Sequence, residues 1–273
     1  ERPQEHYDWL RHHLLRHDGD GWWLAEDERG TVLGWSSAVL REATWFLSGF
    51  WVRPEAQGLG IGRNLLQHAL EYGRGHYRVH FVYASDDPRA LALYQRFGMV
   101  ARFPVWSISG NPAGLADYHL PADIVAQPFS AATASARQAR LALDELDLRV
   151  RGARRAADHS LWLGYVGSGS FSGQLYWRGS QPIGYYYMSN WGMLGPVVAT
   201  EVGDFLPLLK HGLAEAARHG FGYLHCDLPS INAEAVRLLL DLRWRINNGH
   251  SFFLSSGPLG MMDRYIPSGA TLF

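Results

Sequence analysis

The sequence predicts an α/β chain with mixed α+β sheets, in which one architecture is used twice in tandem. Two observations carry this expectation. Short runs rich in Val, Ile, Trp, Tyr and Phe alternate with longer runs whose apolar residues recur at helical spacing. The order meander, helix, strand, helix, strand is then read once before residue 110 and again after residue 118. With 273 residues the chain is long for one compact domain and comfortable for two, expected at 1–110 and 118–273.

Composition narrows the function classes. Hydrophobic residues at 47% and aromatics at 13%, eleven of them Trp, are enough to bury sizeable cores and exclude wholesale disorder. A formal net charge of −1 argues against broad attraction to nucleic acid or an acidic membrane. The single cysteine, Cys226, cannot close an internal disulfide, which suits a reducing cytosol. With no apolar run of about 18 residues and no signal-peptide pattern, a cytoplasmic protein is expected, as a monomer or a homodimer.

Residues 5–17 place Tyr7, Leu10 and Leu14 on one helical face and His12, His13 and His17 near the other. His13 and His17 stand four apart, as zinc ligands on a helix can, yet no catalytic Glu lies between them and no third ligand is evident, so a solvated face is expected. Strands follow at 21–26 and 31–41 around the turn Asp27-Glu-Arg-Gly30, and at 44–52. Beyond a helix led by Ile61, Leu65 and Leu66 come a strand at 78–84, a helix at 86–98 with an Asp N-cap and Gly98 as C-cap, and a strand at 101–108. Residues 109–117 read as a linker. The second half reads as a strand near 119–125, a helical region at 131–163, strands at 172–178, 182–188 and 193–199, a helix at 204–218, a strand at 222–227, a helix at 232–242 and a strand at 250–255.

The organising stretch is Val52-Arg-Pro-Glu-Ala-Gln-Gly-Leu-Gly-Ile-Gly-Arg-Asn-Leu-Leu66, a strand that runs through a glycine-rich turn into a helix. Gly58, Gly60 and Gly62 let successive backbone N–H groups converge at a helix N-terminus, which makes an anion cradle. It is not a Walker loop, because Gly62 is followed by Arg63-Asn64 and the chain's lone lysine is Lys210. It is not a dinucleotide fingerprint either: counted from Gly58 or Gly60, the third glycine position holds Arg63 or Leu65.

What remains, Gln57-Gly-Leu-Gly60-Ile-Gly62 directly after Val-x-Pro, resembles the Q/R-x-x-G-x-G/A acyl-CoA pyrophosphate loop of the GCN5-related N-acetyltransferase (GNAT) family. Residues 87–99 resemble the family's second signature, N-x-x-A-x-x-L-Y-x-x-x-G-F, with Asp87 in the place of Asn and Met99 in the place of Phe. The resemblance implies transfer of an acetyl group from acetyl-CoA to a primary amine of a small molecule or peptide, without a metal. It implies that the backbone of Gln57, Gly58, Leu59, Gly60, Ile61, Gly62 and Arg63 holds the pyrophosphate. Phe50, Trp51 and Val52, on a strand splayed from its parallel neighbour, would pair with the pantetheine arm. Asp87 and Tyr94 complete the cofactor site, and Tyr94 is the implied general acid, although on spacing alone it is equally a core aromatic.

The general base is open. Where many relatives carry Glu, this chain has Leu47, Ser48 and Gly49. A water relayed through Ser48, Asp158 or His159 from the second half, Glu26, Glu42, or a carboxylate at Phe273 if the apolar tail 270–273 tucks in are the candidates. Asp158 and His159 read equally well as a structural ion pair or cap.

The second half departs from the pattern. Residues 195–204 hold no G-x-G turn, and Glu201 and Asp204 at a helix start would repel a phosphate. Residues 232–239 echo the second signature, with Leu239 where Tyr94 stands in the first copy. This half is expected to be a degenerate copy that shapes the acceptor pocket and holds no cofactor. Tyr185, Tyr186, Tyr187 and Trp191 are read as pocket lining for a cationic or aromatic amine, or as core. The family normally opens with a strand and helix, whereas this chain opens inside a helix, which implies residues ahead of Glu1. The alternatives are a non-catalytic acyl-CoA sensor and an aminoacyl-tRNA-dependent transferase, which the neutral charge and intact loop disfavour.

Overall fold

The computed structural model describes residues 4–130 and 136–273. They form two compact units that do not divide at the expected 110/118 boundary. The first is Glu1–Arg102 with Phe252–Pro258 and Ala270–Phe273, and the second is Phe103–Ser251 with Leu259–Gly269.

In the first unit α1 (Gln4–Asp18) leads into the meander β1 (Trp22–Glu26), β2 (Val32–Arg41) and β3 (Thr44–Val52). The Asp27 carboxylate closes the first turn by accepting from the N–H groups of Arg29 and Thr31 at 2.9 and 2.8 Å, with Gly30 at φ 78°. Then come α2 (Ile61–Glu71), β4 (Val79–Ala84), α3 (Pro88–Arg96) and the start of β5 (Val100–Gly110). Trp45, Leu47, Leu66, Ala69, Val82, Tyr94 and Leu254 are buried in its core. His13 is buried rather than solvated, because Leu14 and His13 share the turn that packs inward; only His12 and His17 are exposed.

In the second unit the chain adds β6 (Val125–Pro128), α4 (Arg137–Val150), α5 (Ala156–Gly167), β7 (Phe171–Arg178), β8 (Gln181–Ser189), β9 (Leu194–Ala199), α6 (Val202–Arg218), β10 (Leu224–Pro229), α7 (Ala233–Asp241), β11 (Arg245–Ile246) and, after β12 (Ser251–Ser255) has passed into the first unit, β13 (Tyr265–Ile266). One of its sheets has the order β13-β9-β8-β7-β6. Three local expectations change. The strand placed at 119–125 is only Val125–Pro128, since Pro121 starts a turn closed by Ile124 N–H to its carbonyl. The helical region ends at Val150 and resumes at Ala156, around Gly152 at φ 94°, and its beginning, 131–135, lies outside the described residues. Ser109 and Gly110 continue β5 instead of opening a linker.

The boundary changes because the two halves exchange strands. Residues 105–110 of β5 pair antiparallel with β10 inside the second unit. Residues 252–255 of β12, expected to close the second copy, pair antiparallel with β4 inside the first, Phe252 facing Ala84 and Ser255 facing Phe81. Periodicity identifies both strands and is silent on their partners, because pairing is decided by non-local packing.

Candidate active site

Strand β3 provides the floor. It pairs parallel with β4 only from Thr44↔Val79 to Leu47↔Val82, and beyond that point it continues to Val52 beside β2 alone. The parting coincides with a bulge: Leu47 faces Ala38 and Gly49 faces Ser37, so Ser48 is the extra residue. Gly49 is required here, since a Cβ would lie 2.3 Å from the Trp35 ring, which itself stacks on Trp22 at 5.8 Å. Phe50 and Val52 are half-buried and Trp51 is 43% exposed, so this stretch has one strand edge without a sheet partner.

The glycine turn follows. Gln57 Nε2–H donates to the Val52 carbonyl at 3.1 Å, fastening the loop to the strand it leaves. Gly58 at φ 82° and Gly60 at φ 84° take left-handed conformations that L side chains resist, and Gly60 is the N-cap of α2. The first bond into the helix is Asn64 N–H to Gly60 O at 3.1 Å, so the N–H groups of Ile61, Gly62 and Arg63 precede it and are open to a ligand. A Cβ on Gly62 would sit 3.3 Å from Phe50 Cζ, so glycine lets α2 press against β3. Leu59 is 73% exposed, and the exposed Arg63 has no described partner.

Helix α3 carries Tyr94. The Asp87 side chain accepts from Arg89 N–H at 2.8 Å as N-cap, Pro88 begins the first turn, and Gly98 at φ 82° ends the helix with Met99 N–H bonded to Tyr94 O at 3.1 Å. Both Asp87 oxygens are also taken by the Arg89 guanidinium, at 3.2 and 2.9 Å, and these hydrogen bonds hold its carboxyl below the usual range. The Tyr94 ring is buried, meets Phe50 edge-on at 5.9 Å, and its hydroxyl donates to no described residue. Burial first, and Asp87 second, push its pKa well above the ordinary 10.0, so it keeps its proton at neutral pH.

The tail meets the bulge. Ser48 Oγ donates to the Thr271 carbonyl at 2.8 Å, and Phe273 is fully buried with its ring 5.1 Å from Phe253, 5.6 Å from Phe81 and 5.7 Å from Tyr83. The apolar letters of 270–273 hint at burial, but nothing in them names Ser48 as the contact.

The second unit has the same elements with different contents. Met193, the residue before β9, bridges in parallel to His225 of β10, and no ladder between β9 and β10 follows among the described residues. The edge so exposed is filled: β13 pairs antiparallel along it, Tyr265 facing Val198 and Ile266 facing Val197, and every residue of β9 is buried. Only residues 200–201 join β9 to α6, and Asp204 in the first turn of that helix is held by Arg178 at 2.9 and 2.8 Å. Leu239 is buried in this unit's core.

The remaining candidates scatter. Tyr185, Tyr186 and Tyr187 are buried core residues, and Trp191 packs on Phe171 at 5.4 Å in the turn after β8. His159 lies with Nε2 2.9 Å from Asp147 Oδ2 and Nδ1 3.2 Å from the Tyr187 hydroxyl, while Asp147 also binds Arg155 at 2.7 and 3.1 Å and accepts from Tyr185. Burial would raise the Asp147 carboxyl, but Arg155 and His159 outweigh it and hold it well below its usual range. Asp158 is buried at the start of α5. Glu26 ends β1 and Glu42 occupies the β2–β3 turn at φ 47°, both exposed. Among the described residues no group of three His, Cys, Asp or Glu could hold a metal, and no helix is long and apolar enough to cross a membrane.

A splayed parallel pair, a glycine-rich turn with open amides and a tyrosine on the next helix are on one unit, and the sequence comparison decides what they belong to. Residues 1–99 match the profile of the acetyltransferase (GNAT) family. That region is a GNAT acetyltransferase domain. No curated protein matches the chain. Solved structures are similar over both units. One is a candidate acetyltransferase from Pyrococcus horikoshii, 16% identical, TM-score 0.71, covering 100% of this chain and 87% of that one. Another is a tandem GNAT protein from the clavulanic acid biosynthesis pathway, 19% identical, TM-score 0.55, covering 92% and 88%. A third is a GCN5-related N-acetyltransferase from Sphaerobacter thermophilus, 17% identical, TM-score 0.56, covering 86% and 80%. At these identities the likeness concerns the fold, which is that of tandem GNAT proteins.

Proposed function

We propose that the first unit transfers an acetyl group from acetyl-CoA to the primary amine of a small molecule or peptide, and that the second unit binds no acyl-CoA. The observation that carries this reading is the open strand edge at Phe50–Val52 leading into the amide cradle of 57–63. An extended amide-bearing arm pairs with the edge as a strand would, and its pyrophosphate meets the N–H groups of Ile61, Gly62 and Arg63 with the α2 dipole behind them. The Arg63 side chain, unengaged, adds a cation at the mouth.

Attack of a neutral amine on the thioester carbon builds an oxyanion on a carbon that bears a cationic nitrogen; the nitrogen gives up a proton to water, and collapse breaks the C–S bond and releases a thiolate that needs a proton. Tyr94, kept protonated by burial, is the donor. Ser48 donates its own hydrogen to Thr271, so its oxygen is left as an acceptor; it orients an incoming N–H or a water and does not act as an acid. Asp87 acts on the cofactor through α3, whose first turn it caps.

The test is thiol release from acetyl-CoA with a panel of primary amines, at matched protein concentration. Amine-dependent release abolished in Tyr94→Phe supports the assignment. Release that persists unchanged in that variant removes Tyr94 from the chemistry.

A further inference from the structure

In the first unit α2 packs on one face of the meander, where Ser36 Oγ donates to the Leu65 carbonyl at 3.4 Å and Trp23 stacks on His68 at 4.9 Å. The register puts two cross-strand rows on the opposite face, Trp22–Ser37–Gly49 and Leu24–Trp35–Trp51. Leu24 and Trp51 are exposed, and Trp22 and Trp35 are half-buried. The indoles of Trp22 and Trp35 lie within 10° of parallel, their centroids 5.8 Å apart. A Cβ on Gly49 would sit 2.3 Å from Trp35 Cζ3 and 2.8 Å from Ser37 Oγ, so the benzo edge of Trp35 lies against bare backbone of β3. An aromatic platform therefore ends at Gly49, beside the bulge at Ser48.

That end is where the acyl group falls. An arm that runs from the amides of Ile61, Gly62 and Arg63 back along Val52 to Phe50 brings its far end to Ser48 and Gly49, where β3 and β4 part. Residues 46–50 of β3, 36–38 of β2 and 81–84 of β4 include no carboxylate and no imidazole, and the Ser48 hydrogen is engaged by Thr271. An alkyl amine with a pKa near the lysine value of about 10.4 is neutral in fewer than about one molecule in a thousand at pH 7, and calls for a base before it attacks. An arylamine delocalises its lone pair into the ring, is neutral at that pH and calls for none. The strands around the bulge suit the arylamine, and the two indoles offer its ring a flat surface to stack on.

We propose that this face is the acceptor site and that the acceptor is an arylamine, its ring on Trp22 and Trp35, its nitrogen beside Gly49 and one N–H donated to Ser48 Oγ. The inference rests on the transferase reading above. The nitrogen attacks the thioester carbon, the C–N bond forms and the C–S bond breaks. The nitrogen loses its proton to water, the thiolate takes the proton of Tyr94, and water restores that proton.

The experiment reads acetyl-CoA binding by calorimetry and then thiol release with 4-methylaniline and its isomer benzylamine, which moves the nitrogen off the ring. 4-Methylaniline is preferred about tenfold or more in kcat/KM at pH 7. Its kcat/KM stays flat between about pH 6 and 9, whereas that of benzylamine rises about tenfold per unit as its nitrogen loses its charge. Trp22→Leu raises the KM for 4-methylaniline about tenfold, with kcat within a factor of about two and acetyl-CoA affinity kept. Trp23→Leu, on the α2 face of the same strand, leaves both constants in place. Failure of acetyl-CoA to bind removes the transferase reading and this inference with it. Acetyl-CoA bound with benzylamine preferred at pH 7, or Trp22→Leu no different from Trp23→Leu, overturns this inference alone.

Discussion

The two units hold the same fork in the sheet, and what occupies the fork separates them. In the first, β3 and β4 part after Leu47 and Val82, and the edge of β3 from Phe50 to Val52 has no strand beside it. In the second, a single parallel bridge from Met193, just ahead of β9, reaches β10, and β13 pairs along the edge of β9 beyond it. Their turns differ in the same sense. Residues 53–60 form a wide loop with two left-handed glycines, whereas residues 200–201 pass straight into a helix that starts with Glu201 and Asp204. A fold therefore does not carry a function: a duplicated scaffold keeps its strands and helices while its own chain fills the strand edge that a cofactor would need.

The largest effect is expected at the turn. Gly60→Val places a β-branched residue at φ 84°, a conformation costing about 1–2 kcal/mol for an L residue, and redirects the amides behind it. Gly62→Phe drives a ring into Phe50. Each is expected to abolish measurable CoA binding, while circular dichroism and the melting temperature of the second unit's transition stay in place. CoA affinity within a factor of about two of the parent would sink the cradle.

Next in size is the buried charge cluster of the second unit. Asp147→Asn leaves Arg155 without its buried counter-ion, which costs about 3 kcal/mol of stability in a denaturant melt, with CoA affinity unchanged. The sign with pH follows from the lowered carboxyl. The contribution is present above the ordinary 3.8 and is lost as pH falls below it toward the lowered folded value. Parent and Asp147→Asn should therefore converge in stability on acidification, and a gap that widens toward acid contradicts the assignment.

Tyr94→Phe should lower kcat by about 10²–10³ with little effect on CoA affinity, the size of a lost general acid. Because burial raises its pKa, Tyr94 contributes no alkaline limb to the kcat profile below its ordinary 10.0. A limb at lower pH that vanishes in the Phe variant would show that the hydroxyl is less buried than its ring. The smallest effect belongs to Ser48→Ala. Loss of one hydrogen bond to Thr271 is worth about 1 kcal/mol, read as a several-fold change in the acceptor's kcat/KM with the CoA affinity held.

The comparison also shows what sequence can carry. The glycine turn, the caps of α3 and the positions of most strands were legible, because each depends on residues within a turn or two of one another: Asp87 with Arg89, Gly60 with Asn64, Gly98 with Gln95. The partners were not. That 252–255 joins β4, that 105–110 joins β10 and that 265–266 closes β9 are pairings across most of the chain, and the alternation in those strands suits either neighbour. Asp158 and His159 were visible as polar residues in an apolar helix, but His159's partner, Asp147, is a turn and a helix away. Among the candidate site residues Ser48 was singled out only by its place before the glycine loop, and the bulge and the Thr271 contact around it are long-range.

One unit of the two is proposed to hold acyl-CoA. Calorimetric titration of the whole chain with acetyl-CoA tests it directly. A stoichiometry of one per chain, lost in Gly60→Val and kept in Asp147→Asn, is the expected result. Two sites per chain, or one site that survives Gly60→Val, would contradict it.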